Sequence, residues 1–326
     1  MEHIPCFIYR EGIHFKLPRQ LNGLLHYPCE FTLADGAGIL HPHPEVFTET
    51  DNPDAARLFL FPLDIGPFVD FQEHESISGV ISALPHFAGR ERRHVVCDSG
   101  DNVASIGPLV CLFKRSVIAE TSARAVVSWY DVPAHVLAER PEFELARVRY
   151  DVSFVGVYSN IARKAAVRSI QVEAPELRFF VNEWNSMRVD KSAFVVDKPS
   201  GEILRRRQEL FVQSIKDSVA VLCPPGVGPQ SLRAYEVMYL GRIQVFFGRN
   251  TVYPLEDKID YDSFGLFIEP EHIMHTGNIL REWFARQTSG SLLRRWVTAC
   301  KVWNEFFAPG RKLKSLLAEA KAKFDL

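Results

Sequence analysis

Residues 217–247 read DSVAVLCPPGVGPQSLRAYEVMYLGRIQVFF. The apolar run 218–223 has the character of a parallel strand buried on both faces. Pro224, Pro225, Gly226 and Gly228 then forbid regular structure. From Ser231 the pattern turns helical, with Leu232, Tyr235, Glu236 and Tyr239 three or four residues apart. Gly241 closes that helix, and residues 243–247 form a second apolar strand. A glycine-bearing loop feeding a helix start suits an anion, because free backbone N–H groups and the positive helix end point the same way. Arg233, in the first turn, adds a planar fork for phosphate oxygens, and Glu236 could accept from ribose hydroxyls. An ordinary βαβ unit with structural glycines and a surface glutamate accounts for the same pattern.

The residues also carry a family resemblance. Cys223-Pro224-Pro225-Gly226, then Ser231, Arg233, Glu236, Gly241, Ile243 and Val245, then Tyr253-Pro254-Leu255 and Ile259-Asp260-Tyr261 follow one another in order. This series resembles the sugar-nucleotide half of the exostosin family (glycosyltransferase family 47). Gln244 stands where that family has proline. Residues 51–63 resemble the family's Asp-Pro element leading into an aromatic strand: Asn52 or Asp51 can cap, and Pro53 suits a first helical position. Asp64 stands just past that strand. Residues 94–102 read as a strand and a turn-prone loop holding Asp98 and Asp101, without the histidine the family has there. A plain Asx turn is the competing account of that loop. Residues 150–156 then open the second half, and a helix over 161–172 carries Arg163, Lys164 and Arg168. The resemblance implies that Arg163 or Lys164 reaches a nucleotide diphosphate; solvated charges on an amphipathic helix are the alternative, which covers Arg168.

Composition bounds the rest. The 326 residues are 47% hydrophobic and 24% charged, as in ordinary globular proteins, and the net charge of −2 gives no electrostatic case for nucleic acid. No apolar run approaches the about 20 residues needed to span a bilayer, and the first residues lack the features of a signal peptide, so a compact cytoplasmic form of bacterial or viral type is expected. The six cysteines are scattered, with no C-x-x-C pair, and read as reduced core residues. His41 and His43 lie between prolines and read as loop rather than metal ligands. Asp260-Tyr261-Asp262 spells a metal-chelating string but reads as a structural turn. The Arg205-Arg206-Arg207 run reads as a solvated helix face. The tail is helical, and its last apolar stripe (Leu313, Leu316, Leu317, Ala320, Phe324) is expected to pack on the protein, with membrane-surface contact as the lesser alternative.

The resemblance implies an α/β fold of GT-B type, two Rossmann-like domains facing across a cleft. The expected division is 1–145 on the acceptor side, 146–285 for the nucleotide sugar, and 286–326 as helices packing back. The implied activity is an inverting, metal-independent transfer of a sugar from a nucleotide donor, UDP-linked, to a hydroxyl of an oligosaccharide or glycan acceptor, with no cofactor. Arg163, Lys164, Gly226, Gly228, Ser231, Arg233 and Glu236 would hold the donor. Asp98 or Asp101, then Asp64, would take the acceptor proton. A catalytically inactive carbohydrate- or partner-binding protein is the alternative. A Rossmann oxidoreductase is disfavoured, since no G-x-G-x-x-G follows the first strand.

Overall fold

The computed structural model describes residues 3–10, 29–35, 39–66, 74–100, 111–115, 117–119, 125–158, 160–184, 189–190, 195–196, 201–226 and 228–324. Asp101, one of the expected bases, lies outside them. The chain divides into two compact units. The first holds residues 1–129, 251–255 and 309–326; the second holds 130–250 and 256–308. The units therefore part between Trp129 and Tyr130, earlier than the expected 145. The tail is shared: its first helices belong to the second unit and its last helix to the first.

The first unit is built on β1 (Ile4–Ile8), β4 (Phe47–Glu49), β5 (Leu58–Asp64), β6 (His94–Asp98), β7 (Cys111–Lys114) and β8 (Ala125–Val127). A short antiparallel ribbon of β2 (Thr32–Ala34) and β3 (Leu40–Pro42) lies apart from this sheet. The six main strands are all parallel, in the order β4-β1-β5-β6-β7-β8. Helix α1 (His74–Ser82) contributes Ile77 and Ile81 to a core with Phe59, Phe61, Val96 and Leu112. The register of β5 on β6 slips between Leu60 and Asp64. Pro62, which has no N–H to give a ladder, lies inside the slip. The expected helix turn at Pro53 is instead an Asx turn, with Asn52 Oδ1 accepting Asp54 N at 3.0 Å.

The second unit holds a short helix α2 (Ala134–Leu137), β9 (Tyr150–Gly156), α3 (Ile161–Glu173), β10 (Phe179–Glu183), a two-stranded ribbon of β11 (Val189–Asp190) and β12 (Val195–Val196), α4 (Gly201–Lys216), β13 (Ser218–Cys223), α5 (Leu232–Tyr239), β14 (Ile243–Phe247), β15 (Leu266–Ile268), α6 (Thr276–Ala285) and α7 (Ser289–Val302). Its sheet is wholly parallel, in the order β10-β9-β13-β14-β15. Every residue of β13 and β14 is buried, which is why both are apolar apart from Ser218 and Gln244. The core joins Val152, Phe154, Ile170, Ala220, Leu222, Val245, Leu280 and Trp296. Gly241 ends α5 with φ +67, a conformation that glycine adopts without a Cβ clash. The segment before β9 is held to this unit by Arg242, buried at 1% exposure, which donates to the carbonyl oxygens of Glu142 and Lys216 and lies 4.1 Å over the Trp296 ring.

The final helix, α8 (Lys312–Phe324), buries Leu316, Leu317 and Ala320, and Lys323 donates to Ala125 O of β8. The tail stripe thus packs on its own protein. No helix among the described residues is long and apolar enough to cross a membrane.

Candidate functional site

In the second sheet the strand order reverses between β9 and β13. In open parallel sheets a crevice forms beyond the strand ends at such a point, because the connections on either side leave in opposite directions. The two chain segments emerging there are the β9–α3 turn and the glycine-bearing β13–α5 loop. The residues the sequence proposed for donor binding lie on the second of these segments or in the first two turns of the helices that follow them.

Arg233, in the first turn of α5, does not stretch freely into solvent. Its Nη2 donates to Val155 O at 2.6 Å and its Nη1 to Leu222 O at 3.3 Å. The guanidinium thus joins the two strands at their carboxyl ends. It lies 4.6 Å over the Phe154 ring and 5.5 Å from that of Phe211. Nε is buried without a hydrogen-bond partner. This placement explains Gly156, whose φ is +153: a Cβ there would lie 2.7 Å from Arg233 Nη2.

Arg163, in the first turn of α3, is placed similarly. Its Nε donates to Pro225 O and its Nη1 to Val157 O, each at 2.9 Å. Burial, and then the neighbouring Arg233 charge, bring its pKa down to about 10, so it stays protonated at neutral pH. Lys164 is exposed beside it, and Gly226 and Gly228 lie in the loop. A Cβ on Gly226 would stand 3.3 Å from Arg163 Nη2. Ser231 takes the N-cap position of α5 with extended backbone, but its side chain accepts no cap hydrogen bond. Among the described residues Ser231 thus gives the first-turn N–H groups of α5 no side-chain acceptor.

Glu236, one turn into α5, is 6% exposed. Burial pushes its pKa up to about 7, against the pull of Arg233. Its carboxylate takes part in no hydrogen bond or ion pair among the described residues, whereas buried carboxylates ordinarily find partners. Two guanidinium groups, an uncapped helix start and a carboxylate without a donor thus meet at one sheet edge. That set can hold an anion and, beside it, a group that offers hydroxyls.

The candidate bases sit on the first sheet. Asp98, at the end of β6, is 1% exposed and paired with Lys114, and its Oδ1 accepts Gly100 N at 2.9 Å. Burial lifts its pKa to about 6, with Lys114 opposing. Asp64, at the end of β5, accepts Gly66 N at 2.8 Å and Ser99 N at 3.0 Å, both on Oδ1. Its other oxygen accepts no hydrogen bond among the described residues. Asp260 caps a tight turn by accepting Asp262 N, and Asp262 pairs with Arg249 at 2.6 Å, so the string reads as a turn here too. Among the described residues no group of three histidine, cysteine or carboxylate side chains is arranged to hold a metal.

Sequence reading missed Asn160, Phe154 and Phe211. Asn160 was legible as a helix cap, since it precedes α3. Its other contacts, and the rings beneath Arg233, depend on segments far apart in the chain.

No protein-family model matches the chain. A probable glucuronosyltransferase of Oryza sativa subsp. japonica is 30% identical over 84 residues, which is 26% of this chain and 19% of that protein. The chain thus aligns with about a fifth of that relative's length. Among solved structures, Anabaena HepE in complex with UDP-glucose has 11% identity and a TM-score of 0.44, with all of both chains covered. A sucrose-phosphate synthase from Thermosynechococcus elongatus has 9% identity and a TM-score of 0.42, with 98% of each covered.

Proposed function

We propose that the protein is a glycosyltransferase that moves a sugar from a UDP-linked donor to a hydroxyl of a glycan acceptor, with inversion and without a metal ion. The carrying observation is the convergence of Arg163, Arg233, the uncapped start of α5 and the unpartnered Glu236 at the β9/β13 reversal. The exostosin resemblance in residues 223–261 and the partial likeness to a probable glucuronosyltransferase support the same reading.

The diphosphate lies against the first-turn N–H groups of α5 and the loop at Gly226 and Gly228, with Ser231 offering its hydroxyl. Arg163, Arg233 and Lys164 supply the positive field that stabilises the departing charge. Glu236 accepts from the ribose hydroxyls. The acceptor proton goes to a strand-end aspartate of the first sheet, and Asp64 is better placed than Asp98 because one of its oxygens is unengaged.

The test is a thermal-shift screen of uridine, guanosine and adenosine diphosphates and their sugars, followed by nucleotide release with the ligand that binds. UDP and one UDP-sugar should raise the melting temperature, and Glu236→Ala should abolish the shift. Asp64→Asn should bind UDP normally and lose turnover. A protein that no nucleotide stabilises sinks this reading.

A further inference from the structure

We propose that Asn160 is the positioning residue of the nucleotide site. It bolts the β13–α5 loop to the start of α3 so that loop N–H groups face the diphosphate. This role rests on the nucleotide reading above.

A primary amide offers an oxygen acceptor and two N–H donors on one planar group. Asn160 uses both ends. Its Oδ1 accepts Arg163 N at 3.0 Å, which caps α3. Its Nδ2 donates to Pro225 O at 3.0 Å and to Gly226 O at 2.9 Å. Capping alone needs only an oxygen, and serine or aspartate would cap as well. The two donations therefore have a separate consequence, which falls on the loop.

That loop cannot hold itself. Pro224 and Pro225 have no N–H to bond, and Gly226 and Gly228 resist no backbone rotation. Within a trans peptide the C=O and the following N–H point in opposite directions. Drawing Pro225 O toward α3 thus turns Gly226 N–H away from α3. Arg163 Nε reinforces the hold by donating to the same Pro225 oxygen. Asn160 is thus the link by which the α3 start, the Arg163 guanidinium and the loop keep one geometry. Preformed donors bind an anion more tightly than donors that must be ordered on binding.

Asn160→Ser separates the two jobs, since serine keeps the cap acceptor and cannot reach the loop carbonyls. The probes are uridine, UMP and UDP, titrated calorimetrically against wild type and variant, with melting temperature and amide exchange at Gly226 and Gly228 read in parallel. The expected result is a UDP Kd raised about tenfold, because the loop must then be ordered on binding, with uridine affinity and melting temperature unchanged and loop exchange accelerated. Asn160→Asp keeps the cap but turns a carboxylate toward the carbonyls and the diphosphate, and should bind UDP more weakly still. Equal UDP affinity in Asn160→Ser and wild type overturns the role. So does an equal loss for uridine and UDP with a lowered melting temperature, which marks a purely structural part. If wild type binds no nucleotide, the functional reading falls and takes this role with it. If wild type binds UDP and the variant matches it, the role of Asn160 alone falls.

Discussion

The strand ends of the two sheets treat buried charge in opposite ways. Around the first sheet, two desolvated carboxylates, Asp98 and Glu30, are closed by charged partners. Asp98 meets Lys114, and Glu30 meets Arg115 at 3.2 Å, Lys312 at 2.7 Å and the Ser128 hydroxyl. Burial alone would raise the Glu30 pKa, but Lys312 and Arg115 more than offset it and hold it below the ordinary range. On the second sheet, among the described residues, Arg163 and Arg233 bond only backbone carbonyls and Glu236 bonds nothing. Closed pairs make a scaffold, because every desolvated charge already has its counter-charge. Charges held by carbonyls alone keep their field for something that arrives later. The difference teaches where to expect structure to fail and where to expect binding to fail.

The largest effect should come from breaking a closed pair. Lys114→Met leaves Asp98 buried without its cation and should cost about 3–5 kcal/mol in urea unfolding. Adding Asp98→Asn to it should recover part of the loss, and failure to do so would separate Lys114 from Asp98.

The second effect concerns pH. The Glu236 pKa stands at about 7 in the fold against an ordinary 4.5. A carboxyl that holds its proton more tightly when folded gives its full stabilisation below pH 4.5 and loses it as pH rises toward 7. Stability should therefore fall by up to about 3 kcal/mol across that interval, and Glu236→Gln should remove this part of the slope. Asp98, lifted from 3.8 to about 6, adds a slope of the same sign at lower pH. Nucleotide binding should run the other way. Ribose hydroxyls bond the ionised form, so UDP affinity should rise from pH 6 to pH 8, and calorimetry on Glu236→Gln should show no such rise.

Next in size is Gly156→Ala, which sets a Cβ against Arg233 at φ +153. It should cost about 1–3 kcal/mol and displace the guanidinium, weakening UDP binding as well. The smallest effect should be Arg206→Ala, which breaks an exposed pair with Glu202 on α4 and should change unfolding stability by about 0.5 kcal/mol or less. A large loss there would mean that the solvated face of α4 has a partner.

Much of this architecture was legible in the residues. Strands β9, β13 and β14 fall where apolar runs bounded by glycine and proline put them. Helices α3 and α5 begin where their periodicity places them. The Pro53 segment was misread because a proline after asparagine suits both a helix start and an Asx turn, and only the following residues' backbone chooses between them.

The sequence by itself determined that this is a parallel α/β chain with a glycine-bearing loop before a short helix, because periodicity and backbone-restricting residues act over a few positions. Only the tertiary structure decided what the charges in that loop region do. Arg163 and Arg233 spend their donors on carbonyls from other segments, and Asn160 ties residues 65 and 66 positions away. Those partners come together because parallel strands bring distant residues to one edge, and no local pattern records that meeting.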